Sequence, residues 1–289
     1  MTTLVHLSDI HFGRDADLEQ VAALEELVPS LKPTVVVISG DLTQRARHGE
    51  FQRALVFAQT LERAAPTFVV PGNHDVQWWA TPLDLFGIRR KYTKYRIYFG
   101  EVLSPSLELP GLRIEAALTS HGVSAGSMTW KFWRDTAVKG HLPEAEVARV
   151  AARFREAPPD EARVVVMHHN VLRGEISRRM GLARWRQAQV RLAECGVDVI
   201  LCGHDHQEAV ATLGGRVVVS TASTHTSRTR GHRPSAFNLV EISTESIAVR
   251  HYSWNRPARR FDPALPVRFP RFRHLAAEPG GVPEAVRSP

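Results

Sequence analysis

The sequence predicts a single α/β domain, and three observations support this class. Apolar, β-branched runs alternate with segments of helical periodicity from the start of the chain, as residues 4–7, 17–31 and 34–38 illustrate. The 289 residues suffice to bury a full core, and no long polar linker divides them. Polar residues of metal-ligand type directly follow several of the apolar runs. Such an alternation predicts a largely parallel sheet that helices cover on both faces.

The first half of the chain follows the order β-α-β-α-β with short turns. Residues 4–7 and 34–38 predict strands, and residues 17–31 between them predict a helix because their apolar positions recur at helical spacing. The next predicted elements are a helix marked by Phe51, Leu55, Ala58 and Leu61 and a strand over residues 68–70.

The second half continues this pattern and then changes it. Strands are predicted over residues 112–118, 164–167 and 197–202, and a helix over residues 182–195 ends at Gly196. The later runs are apolar or alternating, and they predict antiparallel strands of a second sheet. These runs cover residues 217–220, 237–242 and 247–252.

Composition and charge bound the function. Apolar residues make up 43% of the chain and charged residues 23%, which excludes general disorder. The net charge of +7 favours phosphate-bearing substrates or nucleic acid as partners, although much of the excess lies late in the chain. A strand from residue 3 and a candidate ligand at residue 9 leave no space for a cleavable leader. With two cysteines and no apolar stretch of about 18 residues, we expect a reduced, cytoplasmic protein without membrane association.

Five short clusters of polar residues predict a metal site. In parallel sheets, ligands gather beyond the carboxyl ends of the strands, and most of these clusters occupy such positions. Two of the clusters have residues two apart, a spacing that places both side chains on one side of an extended chain. Carboxylates, an amide oxygen and imidazoles without a thiolate suit Mn, Fe or Zn. The clusters are Asp9 with His11, Asp41, Asn73 with His74, His168, and His204 with His206.

The order of these motifs resembles the calcineurin-like metallophosphoesterase superfamily. The motifs are Asp-x-His, Gly-Asp, Gly-Asn-His-Asp, His and Gly-His-x-His, and they span residue 4 to about residue 252. The resemblance implies a four-layer α-β-β-α sandwich with two mixed β-sheets flanked by helices. It also implies two divalent metal ions. The first would be held by Asp9, His11, Asp41 and His206, and the second by Asp41 as a bridge, Asn73, His168 and His204.

The fourth motif leaves an alternative open. His168 and His169 are adjacent, and Asn170 stands where a proline is common in the superfamily. We expect His168 to be the ligand, with His169 as the alternative.

The resemblance also implies a reaction, which is in-line attack of a metal-bound hydroxide on the phosphorus of a phosphodiester. His74 would lie beside the phosphate without binding metal, where it would stabilise the charged oxygens or protonate the leaving alcohol. Asp75 would orient His74 through a hydrogen bond. Both residues are therefore predicted to be catalytic.

Within the superfamily, the chain is most similar to the bacterial class III cyclic-nucleotide phosphodiesterase and glycerophosphodiesterase branch. Residues 7–12, residues 72–75 and the single-domain length carry this similarity. It implies cyclic nucleotides or other small phosphodiesters as substrates. The alternatives are a nuclease or phosphomonoesterase of the same superfamily and a catalytically silent scaffold. Scaffolds of this fold tend to lose ligand histidines, and none is missing here.

Substrate contacts are less well marked in the sequence. Residues 78–99 mix basic and aromatic side chains and predict either a lid over the site or a helix with its aromatics packed inward. Residues 120–133 are a second candidate for lining the pocket, with core packing as the alternative. Arg14, His121 and His225 are candidate substrate-binding residues.

The end of the chain differs in composition from the rest. We expect residues 1–254 to form the metallophosphoesterase domain and residues 255–289 to form a tail rich in Pro and Arg. The tail predicts either disorder or an extended arm that packs on a second subunit of a homodimer, in preference to binding nucleic acid.

Overall fold

The computed structural model describes residues 1–14, 16–77, 91–122, 139–224 and 231–272. In these ranges the helices are α1 (Leu18–Ser30), α2 (His48–Glu62), α3 (Thr93–Phe99), α4 (Glu144–Arg155) and α5 (Trp185–Glu194). The strands are β1 (Thr2–Leu7), β2 (Val35–Ile38), β3 (Thr67–Val69), β4 (Ser106–Leu109), β5 (Leu112–Ala116), β6 (Ala162–His169), β7 (Val199–Gly203), β8 (Ala209–Leu213), β9 (Val217–Thr221), β10 (Ala236–Ile242), β11 (Ser246–Asn255), β12 (Arg260–Pro263) and β13 (Val267–Pro270).

The first sheet has the strand order β12-β11-β10-β1-β2-β3, and β13 also pairs with β11. Its β1, β2 and β3 are parallel, whereas β10 runs antiparallel to β1 and begins an antiparallel half. The second sheet has the order β4-β5-β6-β7-β9-β8. Its four inner strands are parallel and its two edge strands are antiparallel. Both sheets are mixed, and the predicted fold class is confirmed.

The two sheets stack on each other with helices outside. Apolar side chains from both sheets, such as Val37 on β2 and Val166 on β6, form one buried cluster between them. A second cluster packs α1 and α2 on the first sheet, and a third packs α4 and α5 on the second. Helix α1 begins at its N-cap Asp17, whose carboxylate accepts hydrogen bonds from two backbone N–H groups of the first turn. The result is the four-layer α-β-β-α sandwich that the resemblance implies.

The described part of the C-terminal segment is extended and pairs with its own chain. Strands β12 and β13 both lie antiparallel to β11. The buried Arg271 guanidinium binds the carboxylate of Asp198 and the carbonyl oxygen of Glu161, which ties this segment to the second sheet. The boundary between residues 254 and 255 stays a prediction, and residues 273–289 lie outside the described residues. None of the described helices combines the length and hydropathy needed to cross a bilayer.

Candidate metal centre

The predicted ligands gather where five strands of the two sheets end. Asp9 and His11 follow β1, Asp41 follows β2 and Asn73 follows β3 in the first sheet. His168 lies at the end of β6, and His204 and His206 follow β7 in the second sheet. The carboxyl ends of parallel strands meet at one edge, so both sheets contribute side chains to the same place.

The backbone of this region is strained at the candidate ligands. Residues other than glycine rarely adopt a positive φ, which costs roughly 1 to 2 kcal/mol per residue. Such strain persists where the surrounding structure enforces it, and it often marks functional sites. Among the described residues that show it are Asp9, His11, Asp41, His204 and His206, with φ of 57°, 53°, 52°, 71° and 52°.

Two glycines of the motifs allow the turns to approach each other. A side chain at Gly72 would overlap the backbone N and Oδ1 of Asp41. A side chain at Gly203 would overlap Ser8 Oγ and Asp9 Oδ2. The glycine before Asn73 and the glycine before His204 are thus required by close packing of the ligand-bearing turns.

Asp9, His11, Asp41 and His206 form a first group of donors. Their ligand atoms all lie within 4.8 Å of one another. His11 Nε2 is 3.3 Å from His206 Nε2 and 3.4 Å from Asp41 Oδ2, and His206 Nε2 is 3.5 Å from Asp9 Oδ1. Three of the four residues are buried, and His206 is partly exposed. The group therefore opens toward solvent on the side of His206.

Asn73, His168 and His204 form a second group around the same carboxylate. Asn73 Oδ1 lies 2.9 Å from His168 Nε2 and 2.9 Å from His204 Nδ1. His168 Nε2 is 3.3 Å from Asp41 Oδ2, the oxygen that also lies near His11. Asp41 therefore stands between the two groups, where a bridging ligand would have to be.

The two adjacent histidines of β6 have different surroundings. Nδ1 of His168 donates to the carbonyl oxygen of Ser39 at 2.9 Å, which turns its Nε2 toward Asn73 and Asp41. His169 Nδ1 lies 2.9 Å from Thr119 Oγ1, and its ring centroid is 4.4 Å from that of His204. His169 shares a possible donor group with His168 and His204. The bond to Ser39 favours His168, and the choice stays a prediction.

The electrostatics of the centre suit a bound cation. Burial raises the pKa of Asp9 to about 7, and the positive charge of the nearby His168 partly opposes this rise. Burial opposes charge on Asp41 and His168 as well, but their mutual attraction holds the pKa of Asp41 well below its usual range and raises that of His168 to about 9. Burial and the neighbouring His169 and His168 hold the pKa of His204 well below its usual range. Buried oxygen and nitrogen donors that compete for protons in this way fit divalent metal ions, which take the place of the protons.

His74 lies beside the first group. Its ring packs edge-on against that of His11 with centroids 4.7 Å apart, and its backbone N–H donates to Asp41 Oδ1 at 2.8 Å. Nδ1 of His74 is 2.9 Å from the carbonyl oxygen of Gln44. A carbonyl only accepts, so Nδ1 carries the proton of this bond and the bond leaves Nε2 unused.

The predicted hydrogen bond between Asp75 and His74 is wrong. The Asp75 carboxylate is fully buried and accepts instead from the N–H groups of Leu42, Thr43 and Gly72, at 3.1, 2.9 and 2.8 Å, and from the Thr43 hydroxyl at 2.8 Å. These donors draw the side chain inward and away from the imidazole. The orienting partner of His74 is Gln44, which sequence reasoning missed because any residue type can supply a carbonyl oxygen.

The candidate substrate contacts are only partly described. Arg14 is exposed just past His11. His121 Nε2 lies 3.1 Å from the Leu118 carbonyl oxygen, and its ring is 5.9 Å from that of His141, so neither contact involves a predicted ligand. His225 lies outside the described residues, as do residues 78–90 and 123–138 of the two candidate pocket segments. In the described remainder, Tyr92 and Tyr95 are buried in the core.

A family model for calcineurin-like phosphoesterases matches residues 2–208. Among solved structures, a dimetal phosphatase from Danio rerio is similar with 13% identity and a TM-score of 0.65, over 94% of this chain and 99% of that one. A purple acid phosphatase from yellow lupin (Lupinus luteus) seeds has 12% identity and a TM-score of 0.61, over 93% of this chain and 54% of that one.

GAP50, the anchor in the inner membrane complex of Plasmodium, has 12% identity and a TM-score of 0.60, over 95% of this chain and 90% of that one. At these identities the similarities show the fold alone. No curated protein sequence matches the chain.

Proposed function

Because the chain belongs to the calcineurin-like phosphoesterase family, we propose that it hydrolyses phosphodiesters at a two-metal centre, with cyclic nucleotides or other small phosphodiesters as substrates. The observation that carries the proposal is the position of Asp41, whose Oδ2 lies within 3.4 Å of both His11 and His168. One carboxylate thus reaches both donor groups.

The ligand assignment follows these two groups. Asp9, His11, Asp41 and His206 would hold one ion, and Asp41, Asn73, His168 and His204 would hold the other. When bound, two divalent ions lower the pKa of a water molecule and neutralise charge on the phosphoryl group. Neither the donor set nor its geometry selects among Mn, Fe and Zn, because the same nitrogen and oxygen ligands serve all three.

His74 would act on the substrate. Its Nδ1–H bond to Gln44 fixes the ring, so the direction in which Nε2 points is set before the substrate arrives. In its protonated form, Nε2 would donate to a phosphoryl oxygen or to the leaving oxygen. A group in this position contributes typically about 10² to 10⁴ in rate. Asp75 would serve the site by holding the turns that carry Asp41, Thr43 and Gly72.

The preference for diesters rests on the motifs. The sequence Leu-Ser-Asp-Ile-His-Phe at residues 7–12 and the sequence Gly-Asn-His-Asp at residues 72–75 are similar to those of the class III branch. A catalytically silent scaffold is the second candidate, because the fold of GAP50 is similar and that protein is an anchor. Convergence of all seven ligand side chains favours the enzyme.

The experiment compares substrates on protein stripped of metal and reloaded with Mn, Fe or Zn. Turnover of bis(p-nitrophenyl) phosphate, cyclic AMP, a glycerophosphodiester and p-nitrophenyl phosphate is measured under the same metal. We expect kcat/KM to be higher for at least one diester than for the monoester, and the Asp41→Asn variant to be inactive. Higher kcat/KM on the monoester than on every diester would indicate a phosphomonoesterase. Bound metal without turnover of any substrate would indicate the scaffold.

A further inference from the structure

An arginine-rich segment follows β6 and precedes most of α5. Residues 173–186, which we call the arginine segment, contain five arginines and one acidic residue, Glu175. The segment begins as a hairpin, because Arg173 and Met180 form an antiparallel bridge and the N–H of Gly174 donates to the carbonyl oxygen of Arg179 at 2.9 Å. All five arginines are exposed, and they are Arg173, Arg178, Arg179, Arg184 and Arg186.

The hairpin is packed on the turn that carries His206. A side chain at Gly174 would overlap the carboxylate of Asp205, so the Asp205 side chain packs against the backbone of Gly174. The N–H of Ile176 donates to Gln207 Oε1 at 3.0 Å. Asp205 and Gln207 are the neighbours of His206 in the chain, and His206 is the exposed side of the first donor group. The arginine segment therefore lies at the open side of the candidate metal centre.

The charges of the segment are not neutralised locally. Within the described residues, none of its five arginines forms an ion pair with a carboxylate. The one acidic residue of the segment, Glu175, pairs with an arginine outside it. Arg233 pairs with Glu175 at 2.7 Å and with Glu208 at 3.2 Å. The hairpin therefore presents three exposed positive charges, those of Arg173, Arg178 and Arg179, next to the turn that carries His206 in a chain of a phosphoesterase family.

Two of these arginines occupy unfavourable backbone positions. Arg178 and Arg184 have φ of 55° and 49°, in the left-handed region that glycine adopts without strain. The backbone alone would favour glycine at both positions. Turn geometry therefore does not explain why arginine is present at these two positions, which points to a role for the guanidinium groups.

Building on the proposed phosphodiesterase function, we propose that the arginine segment binds phosphate groups of the substrate beyond the scissile one. Among the small phosphodiesters of the proposed function, the preferred substrates are then those with several phosphates, such as short single-stranded oligonucleotides, over cyclic nucleotides, which carry only one. Guanidinium groups bind phosphate through paired, charge-assisted hydrogen bonds. Asp9, Asp41 and His168 are at most 1% exposed. A nucleic acid must therefore bend its backbone to bring the scissile phosphate to these side chains, and a flexible single strand bends more easily than a duplex. An anionic membrane is disfavoured because Ile176 is the segment's one exposed large apolar side chain in the described residues.

The test compares two sets of Arg→Gln substitutions, which remove the positive charge and keep a polar side chain. The test variant combines Arg173→Gln, Arg178→Gln and Arg179→Gln. The control combines Arg63→Gln and Arg155→Gln at two exposed arginines. Arg63 follows α2 and precedes β3, and Arg155 ends α4 and precedes β6. Both arginines therefore lie toward the amino ends of these strands, opposite the candidate metal centre. Both variants are first checked for unchanged thermal unfolding.

The readout is turnover of a five-nucleotide single strand and of bis(p-nitrophenyl) phosphate. For the test variant we expect KM for the oligonucleotide to rise about tenfold or more, because charge-assisted bonds to phosphate are lost. KM for the small diester should change less than about twofold, since it carries no further phosphate. For the oligonucleotide, the slope of log KM against log salt concentration should fall by about 2, because each of the three lost phosphate contacts contributes roughly 0.7. The control variant should match the wild type in every comparison.

A binding measurement separates this inference from the proposed function. Fluorescence anisotropy of a labelled oligonucleotide in EDTA reports the arginine segment without turnover, and weaker binding of the test variant alone supports the inference. Equal binding of wild type, test and control variants would overturn it. So would segment-dependent binding to anionic phospholipid vesicles without binding to the oligonucleotide. If neither substrate is turned over, the proposed function fails, and the anisotropy comparison still decides the binding surface.

Discussion

The carboxylate of Asp41 lies 3.3 Å from His168 Nε2, although the two residues belong to different sheets. Asp41 follows β2 in the first sheet, and His168 ends β6 in the second. The same Asp41 oxygen is 3.4 Å from His11. The candidate centre thus depends on how the two sheets stack.

The two adjacent histidines of β6 offer a matched pair of variants. We expect His168→Gln to lose one of two bound metal ions and His169→Gln to keep both, because His168 Nε2 faces Asn73 and Asp41. Metal content after dialysis, measured by inductively coupled plasma mass spectrometry, checks this. The opposite pattern would make His169 the ligand.

Replacement of His74 should separate catalysis from metal binding. In His74→Asn we expect kcat to fall by about 10² to 10⁴, because the donor next to the phosphate is lost. The metal content should equal that of the wild type. His48→Asn, at an exposed histidine bonded to Tyr98, is the control and should leave kcat unchanged. Loss of a metal ion from His74→Asn would show that His74 is a ligand.

Asp75 should matter for stability, because its carboxylate satisfies three backbone N–H groups and the Thr43 hydroxyl in a fully buried position. A buried donor left without its acceptor costs roughly 1 to 3 kcal/mol. Asp75→Ala should therefore lower the free energy of unfolding by at least about 3 kcal/mol in urea denaturation. Asp262→Asn, at an exposed ion pair with Arg260, should change it by less than about 1 kcal/mol. Similar losses in both variants would contradict the role given to Asp75.

The buried His6 should make the protein sensitive to acid. Burial and the nearby His251 lower the pKa of His6 from 6.5 to about 3, and its Nε2 is 2.8 Å from Ser39 Oγ. Because the folded state disfavours the protonated form, the contribution of neutral His6 is complete above pH 6.5 and is lost as the pH falls toward 3. The slope from this residue is at most about 1.4 kcal/mol per pH unit.

Urea denaturation of the metal-free protein between pH 7 and 4 checks this prediction. We expect the free energy of unfolding of His6→Gln to fall less steeply with pH than that of the wild type. The His48→Asn variant should retain the wild-type slope. Parallel curves for wild type and His6→Gln would remove His6 as the source of acid sensitivity.

Much of this architecture is readable from the sequence for a physical reason. Strands such as β2 and β6 are buried on both faces, so they appear as unbroken apolar runs, and the polar residues just after them stand out. Asp41 and His168 could therefore be assigned to strand ends before their contact was known. The resemblance supplied the division of the candidate ligands between two metal ions.

Other features carry no such signal. The edge strands β4 and β8 are half-exposed, and β12 and β13 lie among proline and arginine, so apolar patterning does not reveal them. The bond from His74 to Gln44 uses a backbone carbonyl oxygen, which no residue type marks. The inward turn of Asp75 depends on donors from the loop after β2 and from its own turn.

Whether Asp41 bridges two metal ions is tested by a metal titration of the wild type and the Asp41→Asn variant. Binding is followed by equilibrium dialysis, and turnover of bis(p-nitrophenyl) phosphate is measured in parallel. We expect two Mn²⁺ ions per wild-type chain, activity that requires the second equivalent, and weakened binding of both ions in Asp41→Asn. A wild-type chain that is fully active with one ion, or an Asp41→Asn variant that still binds two ions tightly, would contradict this expectation.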